Sequence, residues 1–286
     1  VSLETQIAAL VEAANNLTGA VNGKMSEIDQ KNDDFVNSFQ SNLIGALSKT
    51  LYVNSATGND ANPGTSGSFP KKTIESAIAV VPSGANLTIY IAGDQTHKVS
   101  AIYVYGKNIT FIKWGGTANP IITSEPAAYE ATQTYGVGFR VYNSRFTFRE
   151  CTIDTGEFLP GATTASSWAG FFGRSDNANA YVFLFSCKVI LRIAPLLTIP
   201  SGGSLFDLSF YNTTIERAVS AVTGSLTRPP LVRNEVYSPV RFHWASMTLT
   251  DVKYIELVSG VFRDSAGRVT NVSCPIDLAA HIVAGT

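Results

Sequence analysis

The sequence predicts a mainly β chain: a solenoid of stacked coils preceded by an N-terminal α-helical coiled coil. Three observations carry this. Apolar residues keep a heptad spacing through the first 48 residues, a short apolar template recurs between residues 85 and 260, and a turn-rich segment with a strand at each end joins the two. The expected divisions are a stem over 1–48, a body over 49–260 and a C-terminal cap over 261–286.

In the stem, Leu3, Ile7, Leu10, Ala14, Leu17 and Val21 fall alternately four and three residues apart, the signature of a coiled-coil seam. Lys24 interrupts it, and the seam moves to Met25, Ile28, Phe35, Phe39 and Leu43. Such a stutter locally unwinds a left-handed supercoil. Asn32 falls on the shifted seam, where a polar residue fixes register. A helix folded onto its own domain would show a broader apolar stripe. This one is flanked by Glu, Asn, Gln, Asp and Lys and weakened by Gly19, Gly23 and Gly45, so self-association is the better reading.

The joining segment reads LYVNSATGNDANPGTSGSFPKKTIESAIAVVPSGANLTIYIAGD. Leu51-Tyr52-Val53 predicts a strand, and a Gly/Asn/Asp/Pro stretch ending in Pro63-Gly64-Thr65 predicts turns. Thr73 caps a short helix with Ile74, Ala77, Ile78 and Val81 on one face, and Pro82 and Gly84 stop it. Leu87 to Ile91 alternate as a second strand. The residues Tyr52-Val53, Gly58-Asn59-Asp60, Pro63-Gly64-Thr65, Pro70, Thr73-Ile74, Ala77-Ile78, Gly84 and Ile89-Tyr90-Ile91 carry a family resemblance. The segment resembles the opening of the right-handed parallel β-helix proteins, the pectate-lyase-like family that includes many phage tailspikes and tail fibres. The likeness is close over residues 48–94 and a matter of pattern beyond them.

That resemblance implies a right-handed parallel β-helix body and a homotrimer with a three-stranded stem. It further implies a place in the phage virion tail, with other phage tail proteins upstream and a bacterial surface polysaccharide or outer-membrane receptor as the target. It leaves activity open, because lyases, hydrolases and non-enzymatic fibres share this opening.

Past the opening, the template is apolar, any, apolar, any, any, apolar, any, apolar. It reads Phe146, Phe148, Cys151, Ile153; then Leu208, Phe210, Thr213, Ile215; then Met247, Leu249, Val252, Tyr254. Ile109, Phe111, Trp114 is a looser copy, and Phe183, Phe185, Cys187, Val189 is one residue short. Two short strands separated by a bend, repeated, suit stacked coils whose apolar faces form one inner column. Phe148, Phe185, Phe210 and Leu249 are expected in one such column, with Cys151 and Cys187 as neighbouring core fillers. An immunoglobulin-like sandwich would need strands about every 8 to 12 residues with tight hairpin signals, which are scarce. The triplets at Asn16, Asn86, Asn108, Asn212 and Asn271 match glycosylation acceptors, but Asn-rich turns generate them by chance and Asn16 lies on the stem.

Composition excludes several classes. With 286 residues, 15% charged and a net charge of −1, the chain has no basic field to hold nucleic acid or anionic lipid. No apolar run of membrane-spanning length occurs, so no membrane insertion is expected. Cys151, Cys187 and Cys274 make an odd set without CxxC spacing, which reads as buried free thiols. His97, His243 and His281 are scattered, and no P-loop, GxSxG, HExxH or GxGxxG motif appears. No metal and no cofactor are expected. The chain begins at Val1, which reads as a fragment or a processed chain.

Two insertions break the rhythm, and long loops on a rigid scaffold tend to carry recognition residues. Residues 154–179 offer Trp168, Phe171, Phe172, Arg174 and Asp176, and residues 224–245 offer Tyr237, Arg241 and Trp244, with Arg228, Arg233 and His243 nearby. Aromatic faces stack on sugar C–H surfaces and planar polar groups read hydroxyls, so these are the glycan-binding or receptor-binding candidates. Packing of the same aromatics onto the body is the competing reading. For catalysis, the template places Asp154 and Glu216 in one column with Ile190 between them. Two strand spacings are about 10 Å, at the outer edge of the separation that inverting glycosidases use. No Asp cluster for calcium stands in the coils, since Asp33-Asp34 lies on the stem. The favoured function is therefore attachment without catalysis. The alternatives are a polysaccharide depolymerase (hydrolase or lyase) on the same fold, and a purely structural fibre segment or bacterial trimeric adhesin.

Overall fold

The computed structural model describes residues 2–130, 133–174, 179–199, 205–219, 228–234, 238–253, 256–259, 265 and 271–273. The protein is mainly β, with parallel sheets and one long N-terminal helix. It divides into two compact units, Val1–Ala46 and Leu47–Thr286.

Helix α1 (Leu3–Leu47) forms the first unit and contains no buried residue. Ser2 Oγ accepts from the Thr5 amide at 3.3 Å, as an N-cap does. Lys24 and Lys31 flank Glu27 at 2.6 and 2.7 Å, one helical turn away on either side. Their hydrogen bonds, Lys24 first, hold the Glu27 carboxyl below its ordinary pKa.

The second unit starts with β1 (Ser48–Val53), the short helix α2 (Ile74–Ala79), β2 (Asn86–Ala92), β3 (Thr96–Val99), β4 (Ile102–Tyr105) and β5 (Asn108–Trp114). It continues with β6 (Ile121–Ser124), β7 (Pro126–Glu130), β8 (Gln133–Tyr142), β9 (Ser144–Arg149), β10 (Thr152–Asp154) and β11 (Thr164–Ala165). Then come β12 (Gly170–Arg174), β13 (Ala180–Phe185), β14 (Lys188–Leu191), β15 (Leu197–Ile199), β16 (Phe206–Tyr211) and β17 (Thr213–Arg217). The last are β18 (Val232–Asn234), β19 (Val240–Trp244), β20 (Met247–Thr250), β21 (Val258–Ser259) and β22 (Val272–Ser273).

Sheet 1 has the order β1-β2-β5-β9-β13-β16-β19-β22, and sheet 2 has β20-β17-β14-β10-β6-β3. Sheet 3 has β11-β8-β12-β15-β18-β21, with β4 and β7 also on β8. Among the described residues every pairing is parallel except β7 with β8. From β9 onward the chain visits the three sheets in turn: β9, β10, β12; β13, β14, β15; β16, β17, β18; β19, β20, β21.

Parallel strands stack like residue on like, so the inner faces form columns. In sheet 1, Leu51, Ile89, Phe111, Phe148, Leu184 and Phe210 are in register from strand to strand, and all are buried. Ile122, Ile153, Val189 and Ile215 do the same in sheet 2, and Phe139, Phe172, Leu197 and Val232 in sheet 3. The bend between sheets 1 and 2 has a repeating cause. Glu150, Ser186, Asn212 and Ser246 each adopt positive φ, at 54°, 52°, 49° and 93°, immediately before Cys151, Cys187, Thr213 and Met247. One left-handed residue per coil turns the chain and restarts the alternation, which is why the template carries two unconstrained positions at its centre.

Two expected column positions are wrong. Phe185 points outward: its ring stacks on Tyr211 at 4.8 Å and lies under Arg149. Leu184 takes the inward place, so that coil reads Val182, Leu184, Cys187, Val189 with no residue missing. Ala180–Phe185 is apolar on both faces, which hides the phase. Leu249 belongs to sheet 2 beside Ile215, and Trp244 stands next to Phe210 instead. The copy beginning at Met247 was thus half a coil out of phase, and its Tyr254 lies outside the described residues. Of the segment expected as a cap, Ser265 and Asn271–Ser273 are described, and β22 adds an end strand to sheet 1. Cys151 and Cys187 are buried free thiols; burial pushes the Cys187 thiol up to about 11. Cys274 and His281 lie outside the described residues.

The opening turn is held by Asp60. Its carboxylate accepts from the Lys72 and Thr73 amides, both at 2.9 Å, and from Thr73 Oγ1 at 3.0 Å. Thr73 in turn caps α2 by accepting from Ser76 N at 3.1 Å. Buried Lys71 donates to the carbonyls of Asp60 and Asn62. Burial works to raise the Asp60 carboxyl, but its donors outweigh that and hold it below its ordinary value. The stability it adds is therefore present above the ordinary aspartate pKa and lost as pH falls through the lowered one. Gly58 is required by close approach, since a Cβ there would overlap the Lys71 carbonyl oxygen. Gly58→Ala is expected to cost roughly 2–3 kcal/mol, read as a lower Tm with the helical signal of α1 unchanged.

Candidate functional site

The first insertion is a folded element. Phe158, Ala162 and Ala169 bury themselves with Ile193 and Ala194 in a small separate core, and the Leu159 amide donates to Thr134 Oγ1 at 2.9 Å. Trp168 emerges from it 45% exposed. Phe171 and Phe172 do not. Both are fully buried, Phe172 in the inner column of sheet 3 and Phe171 edge-on to it at 5.0 Å. That corrects their assignment to a receptor surface: Gly170–Arg174 returns to the sheet as β12, and its aromatics fill the core.

The second insertion meets the first. Arg233 donates to the Ser166 and Ser167 carbonyls at 3.1 and 2.8 Å, directly before Trp168. Beside this contact is a cleft of about 280 Å³ lined by Phe158, Thr164, Ile193, Arg228, Pro230 and Arg233. Trp244 is a further correction: it is half-buried in register with Phe210 and packs on the core, because the insertion has rejoined sheet 1 by Val240. Arg241 points outward and is exposed, paired in register with Asp207. Asp176 and Tyr237 lie outside the described residues, as does the side chain of Arg174.

The outer face of sheet 1 carries a second group, which the sequence reading missed. Arg145 lies over Tyr181 at 5.6 Å and over Phe183 at 5.2 Å, and Arg149 over Phe185 at 4.9 Å. Phe185 and Tyr211 stack at 4.8 Å with their planes 5° apart, and Tyr211 is 39% exposed. Asp207, Arg241 and His243 follow on the adjoining strands, with His243 Nε2 3.7 Å from Asp207 Oδ1. Flat apolar rings next to planar cations and a carboxylate are what a sugar's C–H face and hydroxyls require. The available signal is the set of aromatics on one phase of Ala180–Phe185, Tyr181, Phe183 and Phe185, opposite an aliphatic phase.

The carboxylate column is present in the register: Asp154 pairs with Ile190, and Ile190 with Glu216, about 10 Å for two strand spacings. Both carboxylates are engaged by cations. Asp154 Oδ2 receives Arg192 Nε at 2.8 Å, and Arg192 also reaches Glu157 at 3.3 Å. Glu216 pairs with Lys188 at 2.7 Å. For Arg192, burial works against the charge, but the hydrogen bond and field of Asp154 outweigh it and hold the guanidinium above its ordinary pKa. These pairs join one coil to the next, a structural use of the same residues. Glu150 and Asp251 sit at left-handed positions in bends. Among the described residues no group of three His, Cys, Asp or Glu side chains could hold a metal ion, and no helix is long and apolar enough to cross a membrane.

No protein family matches this chain, and no curated protein matches it. Two crystal structures of the GH136 lacto-N-biosidase from Eubacterium ramulus are similar to it. The selenomethionine derivative is 13% identical over 69% of this chain and 34% of that one, with a TM-score of 0.31. The native protein is 13% identical over 73% and 37%, with a TM-score of 0.29. The chain thus spans about a third of the length of the structures it matches.

Proposed function

We propose that this chain is the receptor-binding portion of a homotrimeric phage tail fibre or tailspike, which attaches to a bacterial surface glycan and performs no catalysis itself. Its body is a right-handed parallel β-helix, and its stem is a three-stranded coiled coil. The observation that carries this reading is α1. Leu3, Ile7, Leu10, Leu17, Val21, Ile28, Phe35 and Phe39 all stand exposed on it. Helical stability in proteins comes mostly from packing an apolar face, and a heptad seam is the face that other copies of the same helix cover. The cyclic visiting of three parallel sheets supports the winding, and the resemblance of residues 48–94 supports the phage assignment.

Attachment rests on Trp168 beside the cleft and on the arginine–aromatic face of sheet 1. Three copies give three equivalent weak sites, and linked sites gain avidity without any new contact. The ion pairs on Asp154 and Glu216 favour binding over hydrolysis, since both carboxylates are engaged in joining coils. Trp168→Ala is expected to reduce adsorption to host cells about tenfold or more while sedimentation still gives a trimer. Asp154→Asn and Glu216→Gln should leave adsorption nearly unchanged, and host capsule or lipopolysaccharide should release no oligosaccharide. Release by the unaltered protein, abolished in these two variants, would replace this reading with the depolymerase. Loss of the trimer in Trp168→Ala would make that ring an assembly contact.

A further inference from the structure

Strand β4 pairs with β8 alone, which places Tyr103 beside Arg140 and Tyr105 beside Tyr142. Ile102 and Val104 are buried, so the alternating Tyr103 and Tyr105 point outward. Tyr105 stacks on Tyr142 at 4.3 Å across the two strands. Tyr103 follows at 6.3 Å along the same strand, its plane only 12° from that of Tyr105. The two rings therefore continue one another as a flat strip. Within a sheet, the rings of such a column cover each other's faces; on an end strand one face is left open. Tyr103 is 52% exposed and Tyr105 48%.

Arg140 puts a positive charge beside this strip. Its guanidinium carbon lies 5.9 Å from the Tyr103 ring centre and 5.6 Å from that of Tyr135. Such ring contacts hold a cation in place without cancelling its charge. The next position in its column is Gly173, which brings no carboxylate, and Arg140 forms no ion pair among the described residues. Of its nitrogens Nε alone is buried without a partner, which leaves the two Nη groups at the surface. Tyrosine and arginine are residue types enriched where protein surfaces bind. An unpaired guanidinium calls for an anion, and a carboxylate meets its fork with two parallel hydrogen bonds. An open phenol strip calls for a flat C–H face, with the phenol hydroxyls free to donate and accept at its rim.

We propose that this face of β4 and β8 binds a carboxylate-bearing sugar residue, its C–H face on Tyr103 and Tyr105 and its carboxylate on the Nη groups of Arg140. The proposal rests on the glycan-binding reading and narrows it to acidic polysaccharide. It uses none of the inserted-loop residues and none of the outer face of sheet 1.

Saturation-transfer NMR on the full chain tests it, titrated with a short glucuronic acid oligosaccharide, its neutral methyl ester or polyglutamate. The acidic oligosaccharide should give a saturable signal, and the ester should bind about tenfold more weakly. Arg140→Gln and Tyr105→Ala should each weaken the acid about tenfold, with Tm and sedimentation nearly unchanged because both side chains reach the surface. Arg140→Lys, which keeps the charge and loses the fork, should also bind more weakly than the unaltered chain. Trp168→Ala should leave the titration as it was. Absence of a signal while Trp168→Ala still reduces adsorption would overturn this site and leave the loop reading standing. The proposal is also overturned if the ester or polyglutamate binds as tightly as the acid, or if Arg140→Gln or Tyr105→Ala binds normally. Loss of the trimer in Tyr105→Ala would overturn it too, by assigning the strip to a second copy of the chain.

Discussion

Phe148→Ala is expected to lower the stability of the body by roughly 3–5 kcal/mol. The ring is fully buried and stacks on Phe111 at 4.7 Å, with Phe172 at 6.0 Å and Phe146 at 6.3 Å. These neighbours come from sheets 1 and 3, so the cavity left behind would be walled by separate strands that cannot all move inward. Residual cavity volume is what makes such truncations expensive. Urea unfolding followed by tryptophan fluorescence reads the effect, with a lower midpoint at an unchanged slope. Phe185→Ala is the internal control. That ring lies outside, between Arg149 and Tyr211, and its loss should cost about 1 kcal/mol. Equal effects from the two variants would mean that the inward and outward faces of β13 and β9 are misassigned.

If the stem is the proposed three-stranded coiled coil, Ile7→Asp is expected to give monomers at micromolar concentration in a sedimentation run where the unaltered chain gives a trimer. Ile7 is 54% exposed on α1, so in a lone chain the change should be nearly neutral. In a three-stranded seam it places three carboxylates around one axis, where each loses solvation and repels the others. Burying an unpaired charge costs several kcal/mol per ion, more than one seam layer contributes. The unfolding of the body should be unaffected, since α1 belongs to the other compact unit. A monomeric mass for the unaltered chain would end the trimer reading at once.

Much of this arrangement is legible in the residues. The heptad spacing marks α1, and Thr73 with Pro82 and Gly84 marks α2. Alternation marks β2, β9 and β16, where one phase is apolar and the other is not. Legibility fails where both phases are apolar. At Ala180–Phe185 a period of two has no preferred face, so only the neighbouring strands decide that Leu184 goes in and Phe185 out. Phe171 and Phe172 are hard to place for a related reason: the inserted loop re-enters sheet 3 as Gly170–Arg174, which shows no alternation, whereas Val240–Trp244 does alternate and puts Trp244 on the phase of Val240 and Phe242. The left-handed residues Glu150 and Ser186 carry no glycine or asparagine to announce them. The outer face of sheet 1 depends on contacts across four strands, of which only the aromatic phase of Ala180–Phe185 leaves a local mark.

The left-handed bend sets a rule for how such a chain can vary. From β9 onward the connection between sheets 1 and 2 is nearly constant, as in Arg149 to Thr152, Phe185 to Lys188 and Trp244 to Met247. One residue added there would turn every following side chain of the coil to the opposite face. Between sheets 2 and 3 the connections differ widely: Asp154 to Gly170, Leu191 to Leu197, Arg217 to Val232 and Thr250 to Val258. Length can therefore drift on that side, where Trp168 and Arg228 are found. A lineage under pressure to change its target could exchange those arcs freely, while the opposite corner keeps count from β9 to β20.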